Sequence, residues 1–131
     1  MRILTPPILC VLLAATACLA ESPAAPLVND LRSGLPAIRQ QAATGLGRLA
    51  DRAAVPGLVA ALDDPEASVR REAAKSLGNL KDARSVPGLS KSLADRDANV
   101  RFYAAYALGE IKDPQAGEAL VRALSDPQWT V

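Results

Sequence analysis

The sequence predicts an all-α solenoid: a right-handed superhelix of about three and a half stacked antiparallel helical hairpins. Three observations carry that expectation. The stretch Val69-Arg70, Ala73-Ala74, Leu77-Gly78, Leu80 and Asp82 recurs from Ile38-Arg39 to Asp51 and from Val100-Arg101 to Asp113. The step is 31 residues (38, 69, 100), with no insertion or deletion. Leucines come in pairs four apart (Leu27 and Leu31, Leu58 and Leu62, Leu89 and Leu93, Leu120 and Leu124), on one helical face in each unit. Finally, 50% of the residues are apolar but only 3% are aromatic, a core of Leu, Val, Ile and Ala suited to short helices packed closely.

At the N-terminus, Met1-Arg2 gives a positive n-region and the run from Ile8 to Ala15 an apolar h-region, followed by small residues. Residues 1–20 therefore read as a secretory signal peptide. Pro6-Pro7 interrupts the apolar run and leaves it too short for a membrane span. Two processing readings stand open. Cleavage after Ala20 or after Ala17 by ordinary signal peptidase is one. The other takes Ala15-Thr16-Ala17-Cys18, which resembles a bacterial lipobox with Ala15 in place of the usual leucine, and makes Cys18 the lipidated first residue. Either way the expected location is the bacterial periplasm or cell envelope, with a lipid anchor in the second reading. Cys10 and Cys18 are the only cysteines, so no disulfide framework supports the body and its stability must come from packing. Residues 21–26, with Ser22-Pro23 and Ala25-Pro26, read as a short tether.

The repeat domain spans 27–131, in units of approximately 24–54, 55–85 and 86–116 and a half unit, 117–131. Val55-Pro56 and Val86-Pro87 stand early in the first helix, where proline is tolerated, and Asp113-Pro114 reads as an N-cap followed by a first-turn proline. Asp63-Asp64-Pro65-Glu66 and Asp95-Arg96-Asp97-Ala98 form the turns. In the second helix Val69, Ala73, Leu77 and Leu80 make the core stripe. Gly78 costs about 1 kcal/mol of helix propensity relative to alanine. Its recurrence as Gly47 and Gly109 therefore implies close approach of a neighbouring helix.

Together, Val55-Pro56-Gly57-Leu58, Leu62, Asp64, Val69-Arg70, Ala73-Ala74, Leu77-Gly78 and Asp82 resemble the HEAT-repeat class. The likeness is to the short HEAT-like repeat first associated with phycobilisome lyases, and it covers about 27–131. That resemblance implies an α-solenoid whose second helices line the concave face. It also implies one activity, that of a bilin lyase-like subunit acting on a tetrapyrrole–protein conjugate.

Residues identical in every unit belong to the repeat itself. Arg39, Arg70 and Arg101 are expected to pair with loop aspartates of the Asp64, Asp95, Asp126 column and tie hairpins together, and Asp51, Asp82 and Asp113 to cap helices. Specificity is expected where units differ. The second-helix columns are Gln40, Arg71, Phe102; Gln41, Glu72, Tyr103; and Thr44, Lys75, Tyr106. The partner-binding candidates are therefore Arg71, Glu72, Lys75, Phe102, Tyr103 and Tyr106. The three rings are spaced to form one patch, while the competing reading packs some of them against the next unit. Tyr103 and Tyr106 are expected to be more exposed than Leu77.

Val131 aligns with Val69 and Val100, so the sequence stops where a second helix should open. This is expected of a fragment or truncated gene product, or of an edge that pairs with another chain. Leu120, Val121 and Leu124 form an apolar stripe that caps the third unit in part, leaving Ala119, Ala123 and Trp129 uncovered.

Lys+Arg is 15 against Asp+Glu 14, a net charge of +1, and histidine is absent. Arg71 and Lys75 are offset by Glu72 and Glu110, so no nucleic-acid partner is expected. No metal, cofactor or catalytic residue is expected either. The residues predict an exported, non-enzymatic interaction module that binds a protein or peptide on the concave face.

Overall fold

Aspartate and proline set where the helices begin. The computed structural model describes residues 22–125 and contains α1 (Ala25–Asp30), α2 (Pro36–Leu49), α3 (Val55–Ala61), α4 (Ala67–Leu80), α5 (Val86–Ser92), α6 (Ala98–Ile111) and α7 (Pro114–Leu124). The signal-peptide and lipobox readings, with Cys18, lie outside the described residues, as do Asp126, Trp129 and Val131. Short 3-10 turns, Arg52–Ala54 and Ala83–Ser85, lead into α3 and α5. Asp51 accepts from the Ala53 N–H at 2.9 Å, Asp82 from Arg84 N–H at 2.9 Å and Asp113 from Gln115 N–H at 2.8 Å, each satisfying a donor that the helix start leaves unpaired. Pro56, Pro87 and Pro114 stand in the first turns that follow, where a missing N–H costs nothing.

The second helices end in the left-handed conformation, which is usually given to glycine. Here Ala50, Lys81 and Lys112 adopt it, at φ 53°, 51° and 56°. The glycines stand three residues earlier and serve packing. A methyl group added at Gly47 would lie 2.7 Å from the Ser76 Cβ and 3.0 Å from its Cα, and one at Gly78 would lie 3.0 Å from the Ala107 Cα. Ser76 uses the closeness to donate to the Ala43 carbonyl at 2.7 Å. The first helices meet instead through side-chain ends: a methyl group added at Gly57 would lie 3.3 Å from the Leu31 Cδ1, and one at Gly88 3.1 Å from the Leu62 Cδ1. Helices that touch backbone to backbone form the inner arc of a curved stack and helices held apart by leucine the outer one, so α2, α4 and α6 line the concave side.

The core lies between the two rows. Val69, Ala73 and Leu77 are fully buried and Leu80 nearly so, with Leu58 and Leu89 opposite them from the first helices. From Ser22 the chain already lies on the stack: its hydroxyl donates to Asp51 at 2.6 Å, and Ala24 is buried.

The arginine ladder joins each hairpin to the next. Arg39 donates through Nε and Nη2 to the two Asp64 oxygens at 2.7 and 3.0 Å, and Arg70 to those of Asp95 at 2.9 and 3.1 Å. The remaining terminal nitrogen holds the arginine's own loop: Arg39 donates to the Ser33 carbonyl, Arg70 to those of Asp64 and Pro65, and Arg101 to that of Asp95. One guanidinium fork thus fixes two loops, which a lysine could not do. Burial alone would raise the Asp64 carboxyl. Hydrogen bonds from Arg39 and the Glu66 N–H, with the charges of Arg39 and Arg70, outweigh it and hold the group below the usual carboxylate range.

At the far end the expected cover of α7 is corrected. Ala119 and Ala123 are partly buried against the core together with Leu120, because they continue the inward stripe that begins at buried Ala116. Val121 and Leu124 are the uncovered residues, 66% and 70% exposed.

Candidate partner-binding surface

The candidate residues all stand on α4 and α6, in the inner row. Their direction around each helix follows from what they touch. Thr44 on α2 donates to the Glu72 carboxylate at 3.1 Å, so the 44, 75, 106 column faces the next unit and the 41, 72, 103 column faces the preceding one. Lys75 and Tyr103 repeat the relation one unit on, with the ammonium 5.9 Å from the ring centroid.

Glu72 is held on two sides. Thr44 donates to one carboxylate oxygen and the Arg71 Nε to the other at 3.3 Å, leaving the guanidinium about one-third exposed. Arg71, Glu72, Lys75 and Tyr103 therefore form one continuous strip across α4 and α6, with a cation at 71, a fixed anion at 72, a cation at 75 and a ring beneath it. The strip offers charge-assisted hydrogen bonds and an aromatic face, contacts that suit an extended or helical polypeptide.

The three rings do not make one uniform patch. Tyr103 is half-buried, packed against the core and edge-on to Phe102 with ring centroids 5.2 Å apart. Phe102 and Tyr106 are 51% and 46% exposed and stand at i and i+4 of a stripe that continues to Gly109. Both tyrosines are more exposed than Leu77, which is fully buried. The periodic pattern could not reveal this division, because it depends on where the neighbouring helix lies. The pairing of Thr44 with Glu72 was missed for the same reason.

A second groove of about 340 Å³ lies on the outer side between α1 and α3, bordered by Val28, Leu31, Arg32, Pro56 and Asp64. No helix among the described residues is long and apolar enough to cross a membrane. None of the His, Cys, Asp or Glu residues among them cluster in threes that could hold a metal ion.

Comparison with solved structures finds a similar chain in the complex of CpcE and CpcF of phycocyanin lyase from Nostoc sp. PCC7120. The two share 36% identity with a TM-score of 0.71, over 76% of this chain and 41% of that one. The chain thus spans less than half the length of that relative. No curated protein matches. The family model for HEAT repeats matches residues 24–98 and 86–131, over repeats whose ladder, caps and glycine seats are those described above, and the chain belongs to the HEAT repeat family.

Proposed function

We propose that the chain is an exported interaction module that holds a protein or peptide along its inner row, with Arg71, Glu72, Lys75 and Tyr103 as the central contact and Phe102 and Tyr106 at its margin. The observation that carries this reading is the contrast within α4 and α6. Positions shared by all units are spent on core, ladder and caps, while the columns that differ carry charge and rings on the accessible side. Surface aromatics and arginine are the residues that anchor partners most often. The membership of the HEAT repeat family supports a protein as the partner class. The N-terminal pattern from Met1 to Ala20 supports export, with Cys18 as the anchor if the lipobox reading holds.

The test is capture from envelope extracts with the wild-type chain and a Tyr103→Ala, Tyr106→Ala variant of matched folding. Loss of specific partners from the variant is the expected outcome; identical partner sets would remove the aromatic contribution.

A second reading, a bilin lyase-like subunit, is favoured by one observation: the 36% identity to a chain of a phycocyanin lyase complex. Fold-level likeness is a weak warrant for chemistry. Mixing the chain with a free bilin decides it. A shift in the visible absorption spectrum supports the lyase-like role, and an unchanged spectrum removes it.

A further inference from the structure

The charges of the inner row do not cancel where a ligand would meet them. Its helices α2, α4 and α6 carry two carboxylates, Glu72 and Glu110, and both are engaged. Glu72 accepts from Thr44 on one oxygen and from the Arg71 Nε on the other, and its side chain is 13% exposed. Glu110 meets the Lys81 ammonium at 3.3 Å. The cations are spent less completely. Arg71 reaches Glu72 through Nε alone, and its two terminal nitrogens make no hydrogen bond among the described residues. Lys75 is exposed and pairs with no carboxylate among them; the Tyr103 ring, 5.9 Å away, steadies the ammonium without neutralising it. Arg48 is exposed and likewise has no carboxylate partner there.

The small-residue seam brings these cations to one side. Gly47 and Ser76 meet across it. Side chains step about 100° around a right-handed helix, so the residue after 47 and the residue before 76 turn toward the same side. Thr44 and Glu72, joined by their hydrogen bond, lie on that side too. Lys75 and Asn79, the counterpart of Arg48 one unit on, are exposed although a second helix stands on either side of α4. The opening therefore belongs to the inner row and not to an end of the stack.

We infer that the inner row selects an acidic polypeptide segment, one carboxylate seated between Arg71 and Lys75 and a second on Arg48. The inference rests on the inner row being the partner-binding surface. The terminal nitrogens of a guanidinium take a carboxylate in paired hydrogen bonds. Neighbouring helices stand about 9 Å apart, and an extended chain advances about 3.3 Å per residue, so the two acidic residues stand three apart in the partner. A nucleic-acid backbone, anionic at every step, would also meet Glu72, whereas a polypeptide varies its charge residue by residue.

The experiment titrates the full, isotope-labelled chain with three synthetic twelve-residue peptides and follows backbone amide resonances. The first carries two glutamates three apart among glycine and serine; the others replace both with glutamine or both with lysine. A ten-residue thymidine oligonucleotide is the fourth probe. Saturable shifts at Arg48, Arg71, Lys75 and Tyr103 are expected with the glutamate peptide, weakening as salt is raised. The glutamine peptide is expected to bind roughly tenfold more weakly or worse. Lys75→Gln and Arg48→Gln, both at exposed positions, should each weaken the glutamate peptide by roughly fivefold. Lys91→Gln, on the outer row, should titrate as wild type. Glutamine or lysine peptides that bind as tightly overturn the acidic selection and leave the partner-binding reading standing. Tighter binding of the oligonucleotide at the same residues overturns it in favour of phosphate, and wild-type affinity in both glutamine variants overturns the assigned seats. Absence of inner-row shifts with every peptide also overturns the inference, and the capture from envelope extracts described above shows separately whether the partner-binding surface falls with it.

Discussion

Gly78 stands so close to Ala107 that a methyl group added to it would lie 3.0 Å from the alanine's Cα and 3.1 Å from its Cβ. The same seat, taken by Ser76 over Gly47 and empty at Gly109, separates glycines that look alike in the sequence. Their substitutions should separate accordingly. Gly47→Ala is expected to destabilise by about 1–3 kcal/mol through overpacking against the Ser76 backbone, and Gly78→Ala by less. Gly109→Ala is expected to stabilise by about 1 kcal/mol, the helix propensity of alanine over glycine. Urea unfolding of the three variants checks the order, and a destabilising Gly109→Ala would show that its seat is filled.

Ala50, Lys81 and Lys112 hold left-handed backbone without being glycine. An L-residue there costs about 1–2 kcal/mol, part of which glycine returns through its greater freedom in the unfolded chain. Lys112→Gly is therefore expected to gain up to about 1 kcal/mol. Thermal melts of Lys112→Gly and Lys112→Val, the second of which should lower the melting temperature, measure it.

Arg70 makes a two-point contact with Asp95 and also donates to the carbonyls of Asp64 and Pro65. Lysine offers a single ammonium in place of the fork. Arg70→Lys is expected to cost about 2 kcal/mol. A double-mutant cycle with Asp95→Asn should then show strong coupling, because the two residues share the lost bonds.

Asp82 is held at about 2, chiefly by its hydrogen bond from the Arg84 side chain and then by the Arg84 N–H. Since the folded value lies below the ordinary 3.8, the unfolded chain binds the extra proton first as pH falls. The contribution is complete above pH 3.8 and is lost as pH drops toward 2. Asp51, lowered chiefly by its hydrogen bond from Ser22, and Asp64 act in the same direction. Urea midpoints across this window should fall with acid, and Asp82→Asn should flatten that slope.

The period, the leucine pairs, the aspartate caps and the arginine ladder were legible in the sequence because each repeats at fixed spacing and answers to a local need. What was not legible depends on how neighbouring helices are offset. Gly47 meets Ser76, 29 positions on, although the units repeat every 31, and only the packed row supplies that displacement. The same displacement sends Tyr103 toward α4 and leaves Phe102 and Tyr106 on the edge. On α7, alternation alone could not say whether alanines or Val121 and Leu124 face the core; the third unit's geometry admits the smaller side chains.

Arg70 and Arg71 are adjacent, and opposite fates are expected for them, since one belongs to the stack and the other to the partner. The most direct measurement is partner capture by an Arg71→Gln, Lys75→Gln chain, in which the glutamine at 71 keeps a donor for Glu72, once its unfolding free energy has been shown to lie within about 0.5 kcal/mol of wild type. The expected result is a chain that melts as wild type and has lost the partners wild type retains. A variant of matched stability that captures the same set would contradict the assignment of the inner strip.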